Sequence, residues 1–306
     1  MYELAILGGG PAGVAAGVYA ARKKLKTVLI TESFGGQSTE SSGIQNWIGT
    51  IEIDGLAFSE MLKGHLLAYS DGIIDIKEGE KIESVGKTDA SFEIKTNKNT
   101  HRAKNLLITT GSHRRKLEIP GAEEFENRGI TYCASCDGPL FSGKDVVIIG
   151  GGNAGFETAL QLLAHAKSVT LLHRSANFKA DPITVEKVLS DPKMKALKNV
   201  LPVEIKGNKF VTEVVYENKD TKERTEIPAE GVFIEIGSVP NVDFVKDQLE
   251  LNEYNQIKID HRNQRTSAEG IWAAGDCTDA LFHQNNIAAG DAVRALEDIY
   301  IHLHTR

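Results

Sequence analysis

The sequence predicts an α/β protein with two Rossmann-like units, each a three-layer ββα arrangement. A buried strand, a glycine-rich turn and an alanine-containing helix follow one another near the N-terminus, and the same succession returns from residue 144. The length of 306 residues allows about two domains, each with its own core. A pair of cysteines lies between the two successions.

The first succession predicts a strand, a helix and a second strand at residues 2–7, 12–24 and 27–30. Gly8, Gly10 and Gly13 match G-x-G-x-x-G, in which glycines permit a tight turn, close approach of a pyrophosphate and close helix–strand packing. Glu32 follows the second strand, where a carboxylate can accept hydrogen bonds from a ribose diol. This pattern predicts a dinucleotide site, and a plain helix-entry turn is the alternative.

The second succession predicts a strand, a helix and a strand at residues 144–149, 156–165 and 168–172. Gly150, Gly152 and Gly155 occupy the three glycine positions. The second strand ends in His173 and Arg174, with Lys179 close behind, instead of a carboxylate. Such cations suit the 2′-phosphate of NADP, and a solvated basic patch is the alternative.

The remaining elements are predicted more coarsely. We expect a helix near 56–69, short strands over 72–108 and 200–236, and a C-terminal helix over 286–302. The apolar face of this last helix is predicted to contain Ile287, Ala292, Ala295 and Ile299. Two further strands end in small-residue turns, at Thr110-Gly111 and at Gly275-Asp276. The first turn can lie against a flat ligand or be purely structural.

Composition and charge exclude several classes of protein. The net charge of −7 argues against a general nucleic-acid binder. No apolar run approaches the roughly 20 residues of a membrane helix, and no basic leader precedes the first strand. Three cysteines cannot form a disulfide framework. We therefore expect a cytosolic location.

Cys133 and Cys136 form a C-x-x-C pair with Asp137 directly behind it. Such a pair indicates redox or metal chemistry. A zinc site needs about four ligands, and the sequence has no second C-x-x-C or H-x₃₋₅-H to complete one. A dithiol between two nucleotide motifs favours an electron relay, with zinc as the alternative.

Taken together, these motifs resemble the low-molecular-weight thioredoxin reductases and the flavoprotein subunit of alkyl hydroperoxide reductase. The resemblance covers essentially the whole chain. Its specific parts are the paired glycine motifs, Phe34-Gly35-Gly36-Gln37, Thr131-Tyr132-Cys133-Ala134-Ser135-Cys136-Asp137-Gly138 and Gly275-Asp276-Cys277-Thr278. The N-terminal thioredoxin-fold module of the hydroperoxide reductase subunit has no counterpart here, so a soluble partner is expected to supply its role.

The resemblance implies a discontinuous FAD domain, 1–114 and 243–306, with an NAD(P)H domain, 115–242, inserted into it and carrying the dithiol. It further implies a homodimer and a rotation of one domain against the other. The connectors at 112–121 and 237–245 are the expected hinges.

The resemblance also assigns site residues. Asp276 matches the acid that binds the flavin ribityl chain, and Gln284 falls beside the isoalloxazine. The FAD residues are Gly8, Gly10, Gly13, Glu32, Gly36, Gln37, Asn46, Thr110, Gly111, Gly275, Asp276, Gln284 and Asn285. The NAD(P)H residues are Gly150, Gly152, Asn153, Gly155, His173, Arg174 and Lys179. Ser175 stands where NADPH-specific members have a further arginine, so NADPH is expected with NADH as the alternative.

The implied chemistry gives each sulfur a different role. Cys136 is expected to face the flavin, Cys133 to attack the substrate disulfide, and Asp137 to donate and accept protons for the thiols. Cys277 is expected to be a buried packing thiol, with a third redox centre as the alternative.

The resemblance implies an enzyme that transfers electrons from NAD(P)H through FAD and the dithiol to a protein disulfide, first of all thioredoxin. Reduction of a peroxiredoxin system through a separate glutaredoxin- or thioredoxin-like carrier is the second hypothesis. A flavin-binding redox sensor with little turnover is the third. Relatives of ferredoxin-NADP reductase share the two-domain plan without the C-x-x-C, so Cys133 and Cys136 disfavour that branch.

Overall fold

The computed structural model describes residues 1–41, 43–88 and 90–305, and the chain in it divides into two compact units. The first unit comprises Met1–His113 and Val239–Arg306, and the second, Arg114–Ser238, is inserted into the chain of the first. The predicted domains change at 114/115 and 242/243. Residues 42, 89 and 306, which the prediction assigns to the FAD domain, lie outside the described part.

The helices and strands follow in chain order. The first segment of the first unit contains β1 (Tyr2–Gly9), α1 (Pro11–Arg22), β2 (Thr27–Phe34), α2 (Gly55–Ser70), β3 (Ile74–Glu78), β4 (Ile82–Lys87), β5 (Phe92–Thr96) and β6 (Thr100–Ile108). The next strand, β7 (Ser112–Arg114), crosses the boundary between His113 and Arg114. The inserted unit contains β8 (Ile130–Thr131), α3 (Ala134–Asp137), β9 (Asp145–Ile149), α4 (Asn153–Leu162), β10 (Ser168–His173), α5 (Pro182–Leu189), β11 (Met194–Lys198), β12 (Val200–Gly207), β13 (Val211–Asn218), β14 (Arg224–Pro228) and β15 (Gly231–Ile234). The chain ends with β16 (Ser238–Pro240), β17 (Ile271–Ala273) and α6 (Asn285–His304).

The first unit is built around a seven-stranded sheet in the order β3-β2-β1-β6-β5-β4, with β17 beside β6. β1, β2, β3, β6 and β17 pair in parallel, and β4 and β5 add an antiparallel hairpin. Leu4 to Leu7 of β1 are fully buried, as expected for a central parallel strand covered on both faces. Helices α1, α2 and α6 cover one face, and the other face packs against the segment around Val242–Leu249.

The second unit repeats this plan with a five-stranded parallel sheet, β11-β10-β9-β15-β8. One face packs against α4 and the turn after α3 through Phe141, Phe156 and Leu162. The other face packs against a separate antiparallel sheet, β12-β13-β14. Each unit therefore has a mainly parallel sheet between two further layers. The predicted α/β fold with two Rossmann-like three-layer units is confirmed.

Both βαβ successions are present, with boundaries that differ from prediction by a few residues. The helix α5 is an addition to the prediction, although Asp181 caps it by accepting from the Thr184 amide at 2.9 Å and Pro182 begins it. The apolar face predicted for α6 is wrong at Ile287, whose side chain is 36% exposed. Ala292, Ala295 and Ile299 are buried there as predicted.

Candidate active site

The two glycine motifs adopt the same turn. Gly8 has φ +123° and Gly150 has φ +127°, a backbone region that favours glycine. A Cβ added to Gly13 would lie 1.9 Å from the Gly8 carbonyl oxygen, and one added to Gly155 would lie 2.0 Å from that of Gly150. The third glycine of each motif is therefore required by close packing between the helix and the turn.

Each turn leads into a helix N-terminus that is suited to an anion. Gly10 immediately precedes α1 and Gly152 immediately precedes α4. Glycine has no side chain with which to cap the first turn, so the terminal N–H groups can bind phosphate oxygens. A Cβ at Gly10 would meet only open space among the described residues, which leaves room for a ligand there.

The first unit contains a cavity of about 1210 Å³ at the carboxyl ends of its parallel strands. This is the edge at which open α/β sheets bind ligands. Most of the residues that were assigned to FAD line it: Gly8, Gly10, Glu32, Gly36, Gln37, Thr110, Gly111, Gly275, Asp276 and Asn285. The structure thus brings together residues from five separate segments of the sequence.

Three of the assigned residues lie elsewhere in the first unit. Gly13 packs beneath Gly8, as described above. The Asn46 side-chain amide donates to Oε1 of Gln284 at 3.1 Å, and both residues lie outside the cavity lining. Their mutual hydrogen bond joins the loop after β2 to the start of α6.

The cavity also has lining residues that the sequence analysis missed, notably Glu80–Glu83 and Asn241. Glu80 is 5% exposed, and its carboxylate accepts from Oγ1 of Thr96 at 2.7 Å and Nδ2 of Asn99 at 2.8 Å. Nε2 of His101 lies 2.8 Å from the same carboxylate. Burial alone would raise the pKa of Glu80, but the hydrogen bonds from these three side chains outweigh it and lower the pKa to about 2. Glu80 is therefore a fixed charge that anchors this wall.

The donor and acceptor groups of the cavity fit a flavin dinucleotide. The glycine turn and the N-terminus of α1 offer N–H groups for a pyrophosphate, and Glu32 offers a carboxylate for ribose hydroxyls. Asp276 offers a second carboxylate for a hydroxylated chain. The side-chain amide of Gln37 donates to the carbonyl of Ser112, which fixes its position on the cavity wall.

The second unit presents the other nucleotide loop with cations beside it. The Lys179 amide donates to the Gly151 carbonyl at 2.9 Å, which holds that segment against the loop. Oδ1 of Asn153 accepts from the Asp181 amide at 2.8 Å. The side chains of Arg174 and Lys179 are exposed, as a phosphate-binding role requires.

His173 occupies a different position from Arg174. Its ring is buried, and Nε2 lies 2.8 Å from the Asn177 carbonyl oxygen. A Cβ at Gly151 would lie 2.6 Å from Nδ1 of His173, so the ring packs directly beneath the glycine loop. This geometry suits support of the loop better than contact with a phosphate.

Cys133 and Cys136 are joined by a disulfide at the start of α3. The Cys136 amide donates to Sγ of Cys133 at 3.2 Å, and the Asp137 amide donates to the Cys133 carbonyl at 2.9 Å. Oγ1 of Thr131 donates to the Asp137 carboxylate. The short helix thus places the acid and both sulfurs in one turn.

Burial raises the pKa of Asp137, while the Thr131 hydroxyl and the charge of Arg114 act in the opposite direction. A raised pKa increases the protonated fraction near neutral pH, which a proton donor to thiolates needs. Cys277 differs, because burial raises the pKa of its thiol to about 12. Its Sγ lies 3.5 Å from the Ala274 carbonyl oxygen, an arrangement that favours packing over redox chemistry.

Neither a metal centre nor a membrane span is found in the described part of the chain. Within residues 1–41, 43–88 and 90–305, no three or more His, Cys, Asp or Glu side chains are grouped so that they could hold a metal ion. Across the same described residues, no helix is long and apolar enough to span a bilayer.

Comparison with known proteins identifies the family. The pyridine nucleotide-disulphide oxidoreductase family matches residues 2–293. The chain is 34% identical over 294 residues to a protein of Bacillus subtilis named NADH dehydrogenase, covering 96% of this chain and 57% of that relative. It is 35% identical over 304 residues to the F subunit of alkyl hydroperoxide reductase from Pseudomonas aeruginosa, covering 99% of this chain and 58% of the relative. The chain therefore spans little more than half the length of these relatives.

A solved structure of similar length gives a fuller match. Thioredoxin reductase from Streptococcus pyogenes superposes with a TM-score of 0.92 at 31% identity, covering 100% of this chain and 99% of the other. Together with the family match, this confirms the predicted family. The chain belongs to the pyridine nucleotide-disulphide oxidoreductases and is thioredoxin reductase-like, and this family membership implies a flavin and a nicotinamide cofactor.

Proposed function

We propose that this protein is a disulfide reductase that transfers electrons from NADPH through FAD and the Cys133–Cys136 dithiol to thioredoxin. The single observation that carries the proposal is the disulfide of Cys133 and Cys136 in one turn with the half-buried acid Asp137. A flavin supplies two-electron exchange between a nicotinamide and a disulfide. Homodimer assembly, a cytosolic location and hinges at 112–121 and 237–245 stay predictions.

In this proposal the protein's own groups perform the thiol chemistry. Cys133 attacks the protein disulfide as a thiolate, and Cys136 then displaces the substrate from the mixed disulfide. Asp137 holds a proton beside the two sulfurs and releases it to a departing thiolate. Glu32 and Asp276 hold the flavin, while Arg174 and Lys179 hold the 2′-phosphate.

Anaerobic titration with NADPH tests the electron relay. The wild-type protein should take up about two equivalents of NADPH, one for the flavin and one for the disulfide. Cys136→Ser should take up about one equivalent, bind FAD normally and lose reduction of thioredoxin. Cys277→Ser is the matched control and should retain the wild-type capacity. Normal thioredoxin reduction by Cys136→Ser would refute the relay.

The nicotinamide preference has a separate test. Arg174→Ala should raise the KM for NADPH about tenfold or more and leave that for NADH nearly unchanged, because only NADPH carries the 2′-phosphate. Lys187→Ala removes an exposed cation from α5 and is the control. Equal effects of Arg174→Ala on the two nucleotides would contradict the assignment.

The second candidate is a reductase of a peroxiredoxin system. The identity with the alkyl hydroperoxide reductase component of Pseudomonas aeruginosa favours it. In this candidate, a separate thioredoxin- or glutaredoxin-like carrier connects the dithiol to the peroxiredoxin. Steady-state rates with thioredoxin, and with glutaredoxin plus a peroxiredoxin, distinguish the two candidates.

A further inference from the structure

Glu235 is a largely buried acid that the proposed reaction leaves without a role. It lies one residue beyond β15, at the carboxyl ends of the central strands of the second unit. Its amide donates to the Ile149 carbonyl at 2.8 Å, and Oγ1 of the buried Thr158 on α4 donates to Oε1 at 2.6 Å. Burying an ionised carboxylate costs free energy unless enough hydrogen bonds compensate for it. An enclosed acid at the ligand-binding edge of a parallel sheet is therefore a candidate functional group.

The strand register relates Glu235 to the dithiol. β15 and β8 are parallel neighbours, with Val232 opposite Ile130 and Phe233 opposite Thr131. Cys133 has an extended backbone, with φ −143° and ψ 100°, two residues beyond Thr131. β8 ends at Thr131 and β15 ends at Ile234, so Cys133 and Glu235 follow shortly after the ends of two neighbouring strands. Helix α4 contacts both segments, because Thr158 bonds to Glu235 and Oε1 of Gln161, three positions later, accepts from Oγ of Ser135 in the dithiol turn at 2.8 Å.

Electrostatics indicate the same cluster. The Arg114 guanidinium lies 5.2 Å from the centre of the Tyr132 ring, directly before the dithiol. Its positive charge opposes the burial that raises the pKa of both Asp137 and Glu235. One cation therefore acts on both acids.

The protonation of Glu235 is set by groups on several elements. Burial is the largest influence and raises its pKa to about 7. The Thr158 hydroxyl and the Arg114 charge oppose this shift, and the negative charge of Glu157 on α4 adds to it. The Asp137 carboxyl belongs to the neighbouring dithiol turn. Glu235 thus changes charge in the range where thiol exchange operates.

We propose that Glu235 is a second proton-holding carboxyl of the dithiol site, which takes the proton of Cys133 while Asp137 serves Cys136. The role of Glu235 during catalysis rests on the disulfide reductase activity proposed above. The Cys133 thiol gives its proton to Glu235, and the thiolate forms a bond to one substrate sulfur as the substrate S–S bond breaks. The other substrate sulfur leaves with the electron pair and takes that proton.

The second half of the exchange uses Asp137 in the same way. The Cys136 thiolate displaces the remaining substrate sulfur, which leaves with its electron pair and takes the proton that Asp137 received from Cys136. Two electrons and two protons have then moved from the dithiol to the substrate, and the Cys133–Cys136 disulfide is restored. Two thiol protons are therefore matched by two carboxyls.

Alkylation of Cys133 in a Cys136→Ser protein tests the proposal without nicotinamide or substrate. The rate of reaction with iodoacetamide is measured against pH, and buried Cys277 is spared. We expect a two-step profile with one inflection near pH 7, the value to which burial raises the pKa of Glu235. Adding Glu235→Gln should leave one step, moved to lower pH, with alkylation about threefold faster at pH 8 because a repelling charge is gone.

Two further variants make the outcome decisive. Glu186→Gln removes the same charge from an exposed position on α5 and should leave the profile unchanged. Thr158→Val keeps the carboxyl but removes its hydrogen bond, so the inflection should move to higher pH. An unchanged profile in Glu235→Gln, or the same change in Glu186→Gln, would overturn the proposal. Because the assay needs no electron transfer, its result is independent of whether the protein reduces thioredoxin.

Discussion

Glu80 in the first unit and Glu235 in the second are enclosed acids whose pKa values shift in opposite directions. Glu80 has three side-chain partners, and its pKa falls to about 2. Glu235 has the Thr158 hydroxyl as its hydrogen-bond partner, and its pKa rises to about 7. Burial opposes ionisation of both, so the number of hydrogen bonds to the carboxylate decides the sign.

The difference means that Glu80 carries a permanent charge, whereas the charge of Glu235 depends on pH near neutrality. Glu80 stays ionised under all physiological conditions and ties the cavity wall to the hairpin of β5 and β6. Glu235 changes charge near neutrality, just beyond the end of β15. Two residues of the same type thus perform opposite tasks because their neighbours differ.

The largest expected effect comes from removing the charge that is fully paired. Glu80→Ala should lower the free energy of unfolding of the first unit by about 3 kcal/mol, because Thr96, Asn99 and His101 lose their common partner. Trp47 and Trp272 are the two tryptophans of the sequence, and both belong to this unit. Their fluorescence during urea unfolding therefore reports on the first unit.

Glu60→Ala, at an exposed position of α2, is the control for this measurement. It should change the unfolding free energy by less than about 0.5 kcal/mol. Equal effects of the two substitutions would show that the Glu80 cluster contributes no more than an ordinary surface residue.

A smaller effect should follow from acid. The pKa of Glu80 is about 2 in the folded protein against an ordinary value of 4.5. Its stabilisation is therefore present above pH 4.5 and is lost as the pH falls towards 2, by on the order of 1–3 kcal/mol. Glu80→Gln should have a flatter pH dependence over this window by tryptophan fluorescence. A parallel pH dependence in wild type and variant would contradict the low pKa.

The smallest effect is expected at Glu235, with the opposite sign. Its pKa is about 7 in the folded protein against an ordinary 4.5, so it favours folding most below pH 4.5 and loses that contribution as the pH rises through 7. Glu235→Gln should therefore stabilise the second unit by about 1 kcal/mol at pH 8 and by less at pH 5. Hydrogen exchange of peptides from β9 and β15 measures this. Greater stabilisation at pH 5 than at pH 8 would contradict the assigned pKa.

The parts of the fold that depend on local pattern were predictable from sequence. Both turns were predictable from their glycines, because backbone contacts exclude a side chain at Gly8, Gly13, Gly150 and Gly155. Helix α5 was also predictable from local sequence, because Asp181 is a helix-capping residue and Pro182 is typical of a first helical position.

The acids had no comparable local signal. Glu235 receives its hydrogen bond from Thr158, 77 positions earlier, and Glu80 from residues 16 to 21 positions later. Their pKa values depend on tertiary contacts, which no motif encodes. His173 shows the same limit, because the sequence placed it among the cations and folding buried its ring beneath Gly151.

Because Cys277 is buried, the reactivity of its thiol reports whether the first unit is folded. Cys277 is fully buried behind the Gly275-Asp276 turn that lines the flavin cavity, and its thiol has a pKa of about 12. After chemical reduction the native protein should therefore present two readily titratable thiols, at Cys133 and Cys136. The appearance of a third would time the opening of the cavity wall, with no label added to the protein.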